Sequence, residues 1–329
     1  MKRTGFLLMM LLSSVFVFAA GEPLAFLKLG AGVRATGMGG AYTAVSDDDA
    51  GVFYNPSGLA PLKSLNITAE TYLLTFDRSV NYISACKSFD LAGHYYTAGL
   101  SWFYYSVGNI EARSTDSPMP ESMISDATNL AILTVATALS DRLYAGMNAK
   151  LDLRLLDNIK AVGFGFDAGI MLKIIEGLRA GICASNLSDN TWWDNTDYNE
   201  PAPQTYSFGL SYLHDDIFGV PKLGALLSAD LVANTFGFVK FRCGAEIKVN
   251  DFFFLRAGYN GELSAGFGIV LKPSDRISVK FDYAFLSDAI IDGSLNHRVG
   301  VTLDFLTDGA KNTTPAETGI RVEKNEEAW

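Results

Sequence analysis

The sequence predicts an all-β fold: a transmembrane antiparallel up-and-down β-barrel of about fourteen strands, with an N-terminal segment held in the lumen. Three observations lead there. The chain opens with an export signal, most of its length alternates apolar and polar residues with period two, and a glycine-rich stretch without alternation precedes the first strand.

Met1 to Ala20 reads as a secretory signal. Lys2 and Arg3 form its positive end, Phe6 to Phe18 its apolar centre, and Val17-Phe18-Ala19-Ala20 its small-residue exit. The apolar run is too short for a spanning helix, and the lack of a cysteine near the exit argues against a lipid-modified N-terminus. Removal of Lys2 and Arg3 takes the formal charge from −10 to −12, which disfavours nucleic acid as a partner.

Residues 21–62 come next, centred on Leu29 to Leu59. Glycine falls in bursts here (Gly30, Gly32, Gly37, Gly39, Gly40), followed by Asp47, Asp48 and Asp49, then Asn55-Pro56. A dinucleotide site needs a preceding strand and a G-x-G-x-x-G turn. Gly37-Met38-Gly39-Gly40 lacks the last glycine, and the three aspartates do not have calcium-loop spacing. Asp49 reads as the N-cap of a short helix over Ala50 to Tyr54, which Pro56 stops.

From residue 63 to 306 the strand period dominates. In Tyr144 to Leu155 the apolar Leu151 and Leu153 alternate with Lys150, Asp152 and Arg154. In Phe238 to Val249, Phe241 alternates with Lys240, Arg242 and Glu246, and in Arg276 to Phe285, Phe281 alternates with Arg276, Lys280 and Asp282. One face of these strands carries both signs of charge, which suits a polar lumen, with the apolar face toward lipid. The candidate strands cover roughly 64–76, 78–89, 91–106, 128–140, 142–155, 160–174, 177–186, 204–214, 221–234, 236–249, 252–260, 262–272, 275–287 and 293–306. Two connections are long, Val107 to Ala127 and Leu187 to Pro203. They leave the same end, while turns such as Ser140-Asp141, Asn250-Asp251 and Pro273-Ser274 mark the other. With an even strand count both termini fall on the tight-turn rim, periplasmic in an outer-membrane barrel of a Gram-negative-type bacterium.

The acidic and aromatic loop Leu187 to Pro203 reads either as a calcium or ligand clamp or, preferably, as aromatics folded onto the rim. Residues 307–329 are polar and read as a flexible tail. Cys86, Cys183 and Cys243 are scattered, as are His94, His214 and His297. No metal spacing, nucleophile elbow or zinc-protease motif appears. The expectation is a protein that is not an enzyme and holds no cofactor or metal.

The run from Phe26 to Leu59, with RATGMGGAY and then DDDAGVFYNPSGLA, resembles the N-terminal segment of the PorV/PorQ family within the FadL-like superfamily of outer-membrane barrels. That resemblance implies a hatch inside the barrel, with Arg34, Gly37, Gly39, Gly40, Asp47, Asp48, Asp49, Asn55 and Pro56 as its gate residues. It also implies an accessory role in type IX-like protein secretion, with secretion components or cargo domains as partners. The alternative is FadL-like passive transport of hydrophobic molecules such as long-chain fatty acids. Outer-membrane lipid surrounds the protein in either case.

Overall fold

The computed structural model describes residues 24–305, except 117, 195–198 and 288–293. The signal (1–20) and the tail (307–329) lie outside the described residues. Fourteen long strands and one of three residues form a single antiparallel sheet that closes on itself. They are β1 (Leu65–Leu73), β2 (Arg78–Leu91), β3 (His94–Ala112), β4 (Ser122–Ala138), β5 (Leu143–Leu156), β6 (Ile159–Ile175), β7 (Leu178–Trp193), β8 (Asn199–Pro201), β9 (Thr205–His214), β10 (Gly224–Asn234), β11 (Val239–Lys248), β12 (Phe253–Tyr259), β13 (Leu263–Ser274), β14 (Ile277–Ser287) and β15 (Leu295–Phe305). Each long strand pairs with its neighbours in sequence, β8 is an appendage of β7, and β1 pairs with β15 from Leu65↔Phe305 to Leu73↔His297. Closure leaves no unpaired edge, the requirement for strands in lipid.

Alternation sorts the side chains. Met147, Leu153, Leu227, Leu231, Phe241 and Phe281 are exposed on the outside of the wall. Their strand neighbours Asn148, Lys150, Asp152, Ser228, Asp230 and Glu246 are buried inside. An apolar exterior around a polar interior is the transmembrane arrangement.

The two long connections are largely strand. β3 runs on to Ala112 and β4 starts at Ser122, so Val107 to Ala127 is mostly a projecting hairpin, with a register shift between Val107 and Ile110. Leu187 to Pro203 likewise forms the end of β7 and β8. Both hairpins rise from one rim, called outer here. On the inner rim the turns are short, with one exception: residues 215–223, between β9 and β10, hold a 3-10 turn at Ile217–Gly219. Pro273-Ser274 belongs to β13, and the turn is Asp275-Arg276.

Residues 24–62 fill the middle of the lumen. A 3-10 turn at Ala25–Leu29, a helix at Val33–Gly37, another at Gly51–Tyr54 and a 3-10 turn at Pro56–Leu59 are packed against the wall. Ala35, Met38, Tyr42, Val45, Val52 and Leu59 are almost fully buried. The wall receives the hatch in two ways. On β2 to β4 aromatic and aliphatic rings meet it: Phe53 lies 5.2 Å from Phe103 and 5.7 Å from Tyr82 between centroids. On β5 to β12 the wall is notched by glycine at lumen-facing positions. Gly146 and Gly169 are cross-strand partners, as are Gly181 and Gly209, and Gly244 and Gly258. A methyl group at Gly146 would overlap the Pro56-Ser57 peptide, one at Gly181 the Thr43 carbonyl, and one at Gly244 the Met38 carbonyl. Glycine there lets backbone meet backbone.

Candidate functional site: the hatch and the cavities on either side of it

Wall side chains hold the hatch mainly by its backbone. Glu70 on β1 accepts from the N–H groups of Gly32 and Val33, 2.9 Å each, and so caps the helix Val33–Gly37 from outside. Asp230 on β10 accepts from the N–H groups of Tyr42 and Thr43 and from the Thr43 hydroxyl, at 2.8 to 3.0 Å. Asn148 donates to the Val52 carbonyl, Ser211 to Ala44, and Arg298 to the Leu29 carbonyl and Thr36 Oγ1. These ties satisfy carbonyls and amides that a short irregular segment cannot satisfy itself.

The gate residues named from sequence take different places. Arg34 bridges hatch and wall: its guanidinium makes two 2.8 Å bonds to Glu246 and also reaches Asp47 at 2.5 Å, Asp48 and the Tyr42 hydroxyl. Asp47 and Asp48 pair with Arg34 of the same segment, and Asp49 has no ion pair among the described residues. Asp49 is also not the helix cap: its side chain accepts from Thr68 on β1, and Asp48 Oδ1 accepts the Ala50 N–H instead. Burial, with Asp48 and Glu70 adding to it, pushes the Asp49 carboxyl well above the usual carboxylate range. Gly37 offers its carbonyl to Ser264, Gly40 its carbonyl to Arg242, and Gly39 lies against the Gly258-Tyr259 backbone with φ of 65°. Asn55 bonds the Thr43 and Ile170 carbonyls in mid-hatch, and Pro56 opens the turn Pro56–Leu59, beyond which the segment continues.

Of the wall charges, Lys150 pairs with Asp167 at 2.9 Å, Arg154 with Asp152 at 2.7 Å, and Lys280 with Asp304 at 2.8 Å. Asp282 and Glu246 share Arg256. Lys240 and Arg242 border a cavity described below. Arg276 differs: it is exposed in the inner-rim turn before β14, because the strand begins one residue later. In the outer hairpin, Glu200 accepts from Trp193 Nε1 and lies 3.5 Å from Arg154, tying the hairpin to the lumen; Asp197 lies outside the described residues. Glu70, Asp230, Arg256 and Arg298 were not singled out from sequence. Each sits at lumen parity in an alternating strand, and that signal could have found them.

The hatch divides the lumen. On its inner side a small cavity of about 70 Å³ is bordered by Asp47, Arg34, Glu246, Arg256 and Asp282, which form one continuous chain of ion pairs. On its outer side lies a cavity of about 450 Å³. Leu27, Phe53, Leu130, Ile132, Val232 and Phe238 supply apolar lining. Lys28, Arg78, Lys150, Lys240, Arg242 and Arg298 also border it, against the acids Asp167 and Glu262. Arg242 and Arg298 make no ion pair among the described residues, and each keeps a buried Nε without a partner. Tyr54 stands between them: burial raises its phenol, and both guanidiniums pull it back down.

No protein-family model matches the sequence, and no curated protein matches it. Solved structures do. The CymD monoaromatic hydrocarbon channel superposes with a TM-score of 0.57 at 13% identity, covering 87% of this chain and 98% of that one. The Pseudomonas putida toluene transporter TodX gives 0.57 at 12%, covering 84% and 97%. A Pseudomonas aeruginosa FadL homologue gives 0.52 at 11%, covering 83% and 97%. The likeness shows the fold, a FadL-like barrel. It adds nothing to the finer PorV/PorQ resemblance.

Proposed function

We propose that the protein is an outer-membrane passive channel for hydrophobic small molecules, and that its ligand carries an acidic head. The outer cavity is the observation that carries this reading. Its volume of about 450 Å³ falls within the roughly 300–1,000 Å³ of small-molecule pockets. Its lining mixes apolar side chains with cations, and it presents Arg242 and Arg298, guanidiniums with no ion pair among the described residues. Their acceptors among the described residues are hatch oxygens, and Arg298 also lies 4.2 Å over the Tyr72 ring; a carboxylate head would add charge-assisted bonds, stronger than those to neutral oxygens. The likeness in fold to a monoaromatic hydrocarbon channel, CymD, and a toluene transporter, TodX, supports the hydrophobic part of the reading.

The test is binding to the purified barrel in detergent, using a fluorescent long-chain fatty acid, its methyl ester and toluene. The expected result is saturable binding of the acid, with the ester weaker by about tenfold, the cost of one charge-assisted contact. Equal binding of acid and ester would remove the acidic head from the proposal. Binding of none of the three would remove the channel reading.

A further inference from the structure

We propose that solutes cross the hatch at one place, the Tyr54–Tyr42 pair, with Tyr54 as the moving leaf of the gate and Tyr42 as the anchored one. This rests on the channel reading above. Tyr54 borders the outer cavity. Tyr42 packs against it edge to face, 5.4 Å between centroids. The Tyr42 hydroxyl donates to Asp48 at 2.6 Å and accepts from Arg34 at 2.8 Å, and both of those residues border the inner cavity. Two rings therefore separate the cavities at this point. On β5 to β12 the hatch backbone lies directly against wall glycines, and on β2 and β3 Phe53 packs against Tyr82 and Phe103.

The two leaves are held differently. Buried tyrosine hydroxyls usually find a partner. Those of Tyr42, Tyr72 and Tyr82 do so, bonding Asp48, Glu70 and the Asp49 carbonyl. Tyr54 is half-buried at the outer cavity, and its hydroxyl has no hydrogen-bond partner among the described residues. Its neighbours are Gly30 and Gly40, with φ of 64° and 68°. A methyl group at Gly30 would stand 2.6 Å from the Tyr54 oxygen. So the ring fits a slot that only glycine leaves open, and no polar tie keeps it there. Its helix is a single turn, Gly51–Tyr54, which ends at the extended residue Asn55. Rotation of one side chain then opens the floor of the outer cavity without moving the wall. Tyr42 yields second, when Arg34 and Asp48 release it.

Single-channel conductance in planar bilayers tests this without any hydrophobic ligand, so its outcome is independent of what the cavity binds. Tyr54→Ala should raise conductance several-fold, and Tyr54→Ala with Tyr42→Ala should raise it further. Tyr54→Phe should behave as wild type, because the lost hydroxyl bonds nothing. Phe26→Ala is the control: it removes a hatch ring that borders neither cavity and stacks on Phe103 and Tyr105 of the wall. It should leave conductance unchanged. Heat-shifted mobility in SDS confirms that each variant is folded. A folded double variant that conducts like wild type, or Phe26→Ala opening the pore as much as Tyr54→Ala, would overturn the proposal. If the gate behaves as described and no amphiphile binds, the gate stands and the substrate reading falls.

Discussion

The two cavities on either side of the hatch are built from the same residue types to opposite ends. The inner one is small, and Asp47, Arg34, Glu246, Arg256 and Asp282 answer one another across it. The outer one is several times larger, and two of its guanidiniums have no acid. Paired buried charge fixes a geometry, because breaking the pair strands its remaining member. Arg242 and Arg298 instead face neutral hatch oxygens. The inner side reads as an attachment, and the outer side is the one to which the proposed function assigns a ligand.

The largest effect should come from breaking the attachment. Arg34→Ala removes the cation that joins Asp47 and Asp48 to Glu246. The cost should be about 3–5 kcal/mol, that of orphaning a buried ion-pair partner, read as lost protection of residues 24–62 in native-state proteolysis. If protection is unchanged, the inner network does not hold the hatch. Arg242→Gln should do the reverse. It should weaken binding of the fatty acid by about tenfold and change hatch protection little, since Arg242 gives the hatch only one 3.3 Å bond to Gly40. Equal losses in both assays would erase the distinction between the two sides. Asp49 gives the smallest effect. Its folded-state carboxyl sits above its unfolded value because of burial, then Asp48 and Glu70. The folded protein therefore holds a proton that the unfolded chain releases. Asp49 then costs nothing below the unfolded pKa of ~4, and its cost grows as pH rises through the folded value. Asp49→Asn should melt a few degrees higher than wild type at neutral pH, with the gap closing below pH ~4. A gap that widens on acidification would mean that Asp49 is ionised and stabilising.

Much of this fold is legible because the wall separates two solvents. Every long strand must sort its side chains between lipid and lumen, so the sequence itself must alternate there. The rule ends at the edge of the lipid. Beyond Val107 the β3–β4 hairpin has a register shift, and its residues no longer alternate apolar and polar, so it reads as loop. Asp49 shows a different limit: an acidic residue before a helix is a strong local cap signal, yet Thr68, 19 residues away, takes its side chain. That Arg242 and Arg298 lack acids depends on which strands are neighbours. Asp230, directly across from Arg242, is bonded to the hatch instead. The glycine notches were visible as residues but not as a surface, since Gly146, Gly181 and Gly244 acquire meaning only when their strands stand side by side.

The ties from the wall to the hatch also set a sequence in time. Arg298, on the strand that closes the sheet, bonds Leu29 and Thr36 across 269 and 262 residues of chain. The hatch is synthesised before any strand, yet its last anchors are among the final residues of the wall to be made. Such non-local contacts form late, after the intervening chain is ordered. Until β15 meets β1, Met38, Tyr42 and Val45 have no interior to enter, and they stay available to any other apolar surface they encounter. A newly made chain therefore keeps the apolar side chains of residues 24–62 uncovered until the wall has closed.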